Sequence, residues 1–89
     1  MNITVDISMY PLDSNYVPPI KHFIRALRAF EGLEIVTNQL STQIRGEFDV
    51  VMSALRDCIR ESMISNHKVV FVTRYLNSDL DIGKLPHID

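Results

Sequence analysis

The hydrophobic period of this chain switches from two to 3.6 and back again, twice over. That alternation restricts the possible folds more than any other feature. In residues 2–10 the apolar Ile3, Val5, Ile7 and Met9 alternate with Thr4, Asp6, Ser8 and Tyr10. A period of two places the two sets on opposite faces of a half-buried strand. Pro11 is expected to stop it, because proline brings no N–H to a ladder. Pro18 and Pro19 then open a helix, at positions where the missing N–H costs nothing. Ile20, Phe23, Ile24, Leu27 and Phe30 follow at helical spacing, Lys21, Arg25 and Arg28 face the other way, and Gly32 sits just past the end. Residues 33–38 and 41–46 read as a strand hairpin bent at Gln39 and Leu40, with no Asn-Gly pair to fix its register. Residues 47–64 form a second helix burying Val51, Ala54, Leu55, Cys58, Ile59 and either Ser62 or Met63. Residues 67–75 are a final strand rich in β-formers.

The order β-α-β-β-α-β predicts an α+β, ferredoxin-like sandwich: a four-stranded antiparallel sheet with both helices on one face. Residues 1–76 form the domain and 77–89 a polar C-terminal tail with sparse Leu80, Ile82 and Leu85. The second sheet face is expected to lie open. It would carry Asp6, Ser8, Tyr10, Glu34, Val36, Asn38, Ser41, Gln43 and Arg45, together with either Val70 and Val72 or Val69 and Phe71. A mixed polar and apolar face left open suits a ligand or a partner.

Composition narrows the function. The 89 residues suffice for one domain and not two. A net charge of −2 without a basic patch argues against nucleic acid. A lone cysteine, Cys58, permits no internal disulfide, and no apolar run approaches membrane-spanning length, so the expectation is a cytoplasmic protein without a signal peptide. His22, His67 and His87 are scattered, which predicts no metal site, and Cys58 lies in a buried helical stripe without a neighbouring base. No nucleophile–base pair stands out, which weighs against an enzyme, and no cofactor is expected.

Three segments carry a family resemblance. They are Ser8-Met9-Tyr10-Pro11-Leu12, Thr37-Asn38-Gln39-Leu40-Ser41-Thr42-Gln43-Ile44, and Gly46-Glu47-Phe48-Asp49 followed by Val51-Met52. Together they resemble the YkoF-like family of thiamine/hydroxymethylpyrimidine-binding proteins, over residues 3 to about 75. The resemblance implies a ferredoxin-like fold, assembly into dimers or tetramers, and a pocket for thiamine or its pyrimidine part, held reversibly as in a carrier or sensor. An oligomeric regulatory or scaffold subunit without this ligand is the alternative.

On that footing Ser8, Tyr10, Asn38, Ser41 and Thr42 are the candidate ligand-binding residues. An aminopyrimidine offers an amine donor and ring-nitrogen acceptors that amide and hydroxyl side chains match, and a tyrosine ring can pack on it. Strand-end capping and turn hydrogen bonds are the plainer roles for the same residues. Asp6 and Glu47 are possible counter-charges. Glu47 is better explained by the start of the second helix, and Asp6 by pairing with Arg45 or Arg74 across the sheet. Phe23, Phe30, Phe48 and Phe71 are expected in the core. Acylphosphatases and RNA-recognition modules share the element order. The segment after the first strand lacks the arginine-bearing phosphate loop of the former, and the third strand lacks the paired aromatics of the latter.

Overall fold

The alternation at the N-terminus produces a long strand at the centre of the sheet. The computed structural model describes residues 1–88. Its elements are β1 (Asn2–Pro11), α1 (Val17–Arg28), β2 (Glu34–Thr37), β3 (Thr42–Glu47), α2 (Phe48–Ser65) and β4 (Val69–Leu76). The sheet order is β2-β3-β1-β4, and every neighbouring pair is antiparallel. This is the ferredoxin-like arrangement, in which each helix crosses over between strands that are not neighbours.

One face of the sheet makes the core. Ile3, Val5 and Ile7 of β1 and Ile44 of β3 meet Phe23 and Leu27 of α1 and Val51, Ala54, Leu55 and Cys58 of α2. Burying side chains of this size contributes about 1.5–3 kcal/mol each, which offsets the entropy of ordering so short a chain. Phe23 also packs on Phe71 of β4, with ring centroids 5.0 Å apart. Proline occupies the first turn of α1, and Glu47 caps α2 by accepting from the N–H groups of Asp49 and Val50. Gly32, at φ +83°, makes the turn from α1 into β2 that a side chain would strain.

Register resolves the open face. Tyr10 pairs with Val70, Ser8 with Val72 and Asp6 with Arg74, so Val70 and Val72 stand there while Val69 and Phe71 turn to the helices. Four expectations need correction. β1 does not stop before Pro11 but includes it, opposite Val69. The hairpin strands are shorter or shifted by a residue at their ends. Phe48 is not core. As the first residue of α2 it lies outside the buried stripe and is 38% exposed. The open face is not wholly open either, because residues 78–82 fold back across one end of it. There Thr4 donates its hydroxyl to the Ser78 carbonyl at 2.8 Å and accepts from the Leu80 N–H at 3.1 Å. Arg45 holds Asp79 at 2.6 Å and lies 3.6 Å from Glu34 and 3.9 Å from Asp81.

Candidate functional site

At the far end of β1 from this strap, the sheet and the first helix part to leave a cleft of about 320 Å³. Its walls are the end of β1 from Ile7 to Pro11, the β2–β3 turn from Thr37 to Thr42, and Tyr16, Ile20, Phe23 and Ile24 from the start of α1. The geometry follows from strand lengths. β1 stays paired to β4 as far as Pro11, whereas β3 begins at Thr42, opposite Ile7. Beyond Ile7 the hairpin has already turned away, and the space it vacates is the cleft. The floor is apolar and the rim polar, as small-molecule sites generally are, and the volume sits at the low end of their roughly 300–1,000 Å³ range.

All five candidate residues line this one cleft: Ser8, Tyr10, Asn38, Ser41 and Thr42. They do not all present free polar groups to it. Asn38 accepts from the N–H groups of Leu40 and Ser41 through its side-chain oxygen, both at 3.2 Å, which is an Asx-type closure of the turn. Its amide nitrogen lies 3.5 Å from the Gln43 side-chain oxygen. Ser8 donates to the Leu40 carbonyl at 3.3 Å, pinning the turn to β1. Thr42 is buried and shares a hydrogen bond of 3.1 Å with Thr37. Tyr10 is 52% exposed and stands on the sheet face opposite the helices. The apolar contributors Ile20, Ile24 and Tyr16 were not among the expected site residues. Ile20 and Ile24 belong to a helical stripe that reads as core, and Tyr16 lies in the loop just before α1; the start of β3 only at Thr42 leaves them lining the cleft.

Next to Val70 and Val72, the open face carries ion pairs. Asp6 accepts from Arg74 at 2.7 Å and from Gln43 at 3.1 Å, so Arg74 and not Arg45 is its partner. Partial burial pushes the Asp6 carboxyl up, but hydrogen bonds from Ser41, Arg74 and Gln43 outweigh it and hold the group below the usual carboxylate range. Between this network and the strap lies a second hollow, of about 500 Å³, walled by Thr4, Asp6, Arg74, Tyr75, Leu80 and Ile82 among others. Cys58 is buried in α2, where desolvation, with Glu61 and Asp57 nearby, pushes its thiol up to about 11. A thiol so held is a packing group at neutral pH. His22 sits at the surface against Glu61 at 2.7 Å. Among the described residues no three His, Cys, Asp or Glu side chains cluster as metal ligands, and no helix is long and apolar enough to cross a membrane.

The comparisons with known proteins agree with this architecture. The family model of the YKOF-related family matches residues 2–79. A Streptococcus pneumoniae protein superposes with a TM-score of 0.83 at 20% identity, over 93% of this chain and 94% of its own. A Thermotoga maritima protein described as a candidate for thiamine biosynthesis or salvage superposes at 0.76, with 18% identity over 97% of this chain and 90% of its own. A DUF77 domain of unknown function from Bacillus cereus superposes at 0.74, with 14% identity over 92% of this chain and 84% of its own. Identities this low establish a shared fold. No curated protein matches the sequence.

Proposed function

The chain belongs to the YKOF-related family, and from that membership we propose that it binds thiamine or its hydroxymethylpyrimidine part reversibly in the cleft between β1, α1 and the β2–β3 turn. The observation that carries the reading is the convergence of Ser8, Tyr10, Asn38, Ser41 and Thr42, drawn from two distant segments, on one apolar-floored cleft. A volume of about 320 Å³ suits a single substituted ring. The Thermotoga relative described as a thiamine biosynthesis or salvage candidate supports the ligand class. The proposed mechanism is capture and release without chemistry. The ring packs over Ile20 and Ile24, with Tyr10 at the rim of the same cleft.

Calorimetric titration with thiamine and with 4-amino-5-hydroxymethyl-2-methylpyrimidine tests the proposal. Saturable binding of either is expected, weakened in Asn38→Ala by roughly 5- to 150-fold as a turn that shapes the site loses its closing hydrogen bonds. No saturation at millimolar concentration with either ligand refutes it.

Self-association into dimers or tetramers is part of the same proposal. Its support is the open sheet face, where Tyr10, Val70 and Val72 each expose about half of their surface. Sedimentation showing only a monomer at high micromolar concentration removes that part and leaves the ligand reading standing.

A further inference from the structure

We propose that the ligand is read in this cleft by the backbone of Met9, whose N–H and C=O form a donor–acceptor pair for an aminopyrimidine edge; the inference rests on the function proposed above and deepens it. The two ends of β1 fix which way its backbone groups face. The Leu12 N–H donates to the Lys68 carbonyl, so Leu12, and with it the alternate residues Tyr10, Ser8, Asp6 and Thr4, direct their backbone groups toward β4. At the other end the Phe48 N–H donates to the Met1 carbonyl, so Met1, Ile3, Val5, Ile7, Met9 and Pro11 direct theirs toward β3. Both ends give the same phase.

β3 supplies partners only as far as Thr42, opposite Ile7. The next residue on that edge is Met9. In register its partner would be Leu40, but Leu40 lies in the turn, where its N–H goes to Asn38 and its carbonyl takes the Ser8 hydroxyl. Among the described residues neither the N–H nor the C=O of Met9 has a partner on this edge, and Met9 lines the cleft. Pro11 comes next. It has no N–H, so it offers the edge a carbonyl alone. The side chains of Asn38, Ser8, Thr37 and Thr42 have spent their hydrogen bonds on one another and on the turn. Besides the Tyr10, Tyr16 and Gln39 side chains, which also line the cleft, the backbone edge of Met9 is unspent polarity facing it.

On that edge Met9 offers a donor and an acceptor side by side, its own N–H and C=O, while the Pro11 carbonyl lies two residues further on, roughly 6.6 Å along the strand and out of reach of the same ring edge. The complement of the Met9 pair is a ring nitrogen beside an exocyclic amine, which a 4-aminopyrimidine carries on adjacent ring positions. A ring docked this way replaces the missing rung of the ladder, as an added strand would. The interaction also selects against rings that place a carbonyl where the amine stands, since two acceptors would then oppose each other.

Three measurements decide it. In the free protein the Met9 amide should exchange with deuterium much faster than those of Ser8 and Tyr10, which bond to β4. Protection equal to that of Tyr10 would show a closed edge and overturn the inference. With 4-amino-5-hydroxymethyl-2-methylpyrimidine added, the Met9 amide proton should move downfield, and 5-hydroxymethyl-2-methylpyrimidine, which lacks the amine, should bind roughly 5- to 150-fold more weakly. Met9→Pro deletes the donor without removing a ladder bond, and should weaken the aminopyrimidine by a similar factor; unchanged affinity in a folded Met9→Pro would overturn the inference. If the aminopyrimidine binds but the Met9 amide stays still and the amine-free ring binds equally well, backbone readout is wrong and the small-molecule function stands. If neither ring binds, both fall together.

Discussion

The strap over the open face gives the sharpest test of how this small domain is held together, through Thr4→Val. Valine keeps the shape of threonine and replaces the hydroxyl by a methyl. In the wild type that hydroxyl is 2.8 Å from the Ser78 carbonyl and 3.1 Å from the Leu80 nitrogen, and Thr4 is only 7% exposed. If the strap stayed down in the variant, a covered N–H and a covered C=O would both lose their partner, at about 1–3 kcal/mol apiece. Lifting the strap lets water satisfy both groups and is the lower-energy response. The loss is then the docking free energy of the strap, comparable to two net hydrogen bonds, or about 1–3 kcal/mol. The Arg45 pairs with Asp79, Glu34 and Asp81 are too open to solvent to restore it. In a domain of this size about 1 kcal/mol corresponds to roughly 4–8 °C in Tm. Urea unfolding and thermal melts give the global change, and hydrogen exchange at Leu80 reports lifting directly. Thr4→Val should cost more than Arg45→Ala, and should bring the Leu80 amide close to the exchange rate of a free peptide. Equal or reversed costs, or a Leu80 amide already unprotected in the wild type, would refute the claim that the threonine hydroxyl is what fastens the strap.

Gly46→Ala should destabilise by about 1–3 kcal/mol in urea unfolding, because a Cβ there would come within 2.8 Å of the Leu33 side chain and 3.1 Å of the Gly32 carbonyl, whose backbone cannot easily yield. Asp6→Asn should flatten the acid limb of the stability profile: the folded carboxyl lies below its ordinary value of 3.8, so its contribution is complete above 3.8 and is lost as the pH falls below that value and through the lower folded one, and an unchanged acid limb would mean Arg74 and Gln43 do not hold the charge. Cys58→Ala should lose about 1 kcal/mol or somewhat more at neutral pH and leave ligand affinity unchanged; the gap should narrow as pH rises from 9.0 toward about 11, where the unfolded wild-type thiol ionises and the folded one does not.

The fold was legible because each element carries its own period. Ile3, Val5 and Ile7 alternate, Phe23 and Leu27 lie one turn apart, and Val51, Leu55, Cys58 and Ser62 recur at helical spacing. Those local signals, with the handedness of the crossovers, leave few topologies to choose among. The strap was not legible, and the reason is physical. Its anchors are Thr4 with Ser78 and Leu80, and Arg45 with Asp79, far apart in sequence and without periodicity. Nothing in a run with sparse Leu80 and Ile82 says which surface it meets. Phe48 illustrates the opposite error. An aromatic beside a helix start looks like core by type, yet its place in the first turn of α2, next to the capping Glu47, puts it beside the exposed Tyr75 and Met1.

The candidate site was legible in membership but not in role, and Pro11 explains the difference. Read from sequence, a proline ends a strand because it cannot donate to a ladder. Here the strand continues through it, since a residue's backbone groups face one edge only and Pro11 faces the edge that β3 has left. Its missing N–H therefore costs nothing, and its pairing with Val69 survives. A proline near the end of a central strand marks the point where the ladder stops on one side while it continues on the other. That asymmetry is what opens the cleft. It also explains why hydroxyl and amide side chains, which sequence reasoning selects as ligand partners, are found closing the turn: once β3 withdraws, Asn38, Ser8 and Thr42 must satisfy the turn's own orphaned groups first. Part of the polarity left over belongs to the main chain of Met9, which no reading of side-chain types can register.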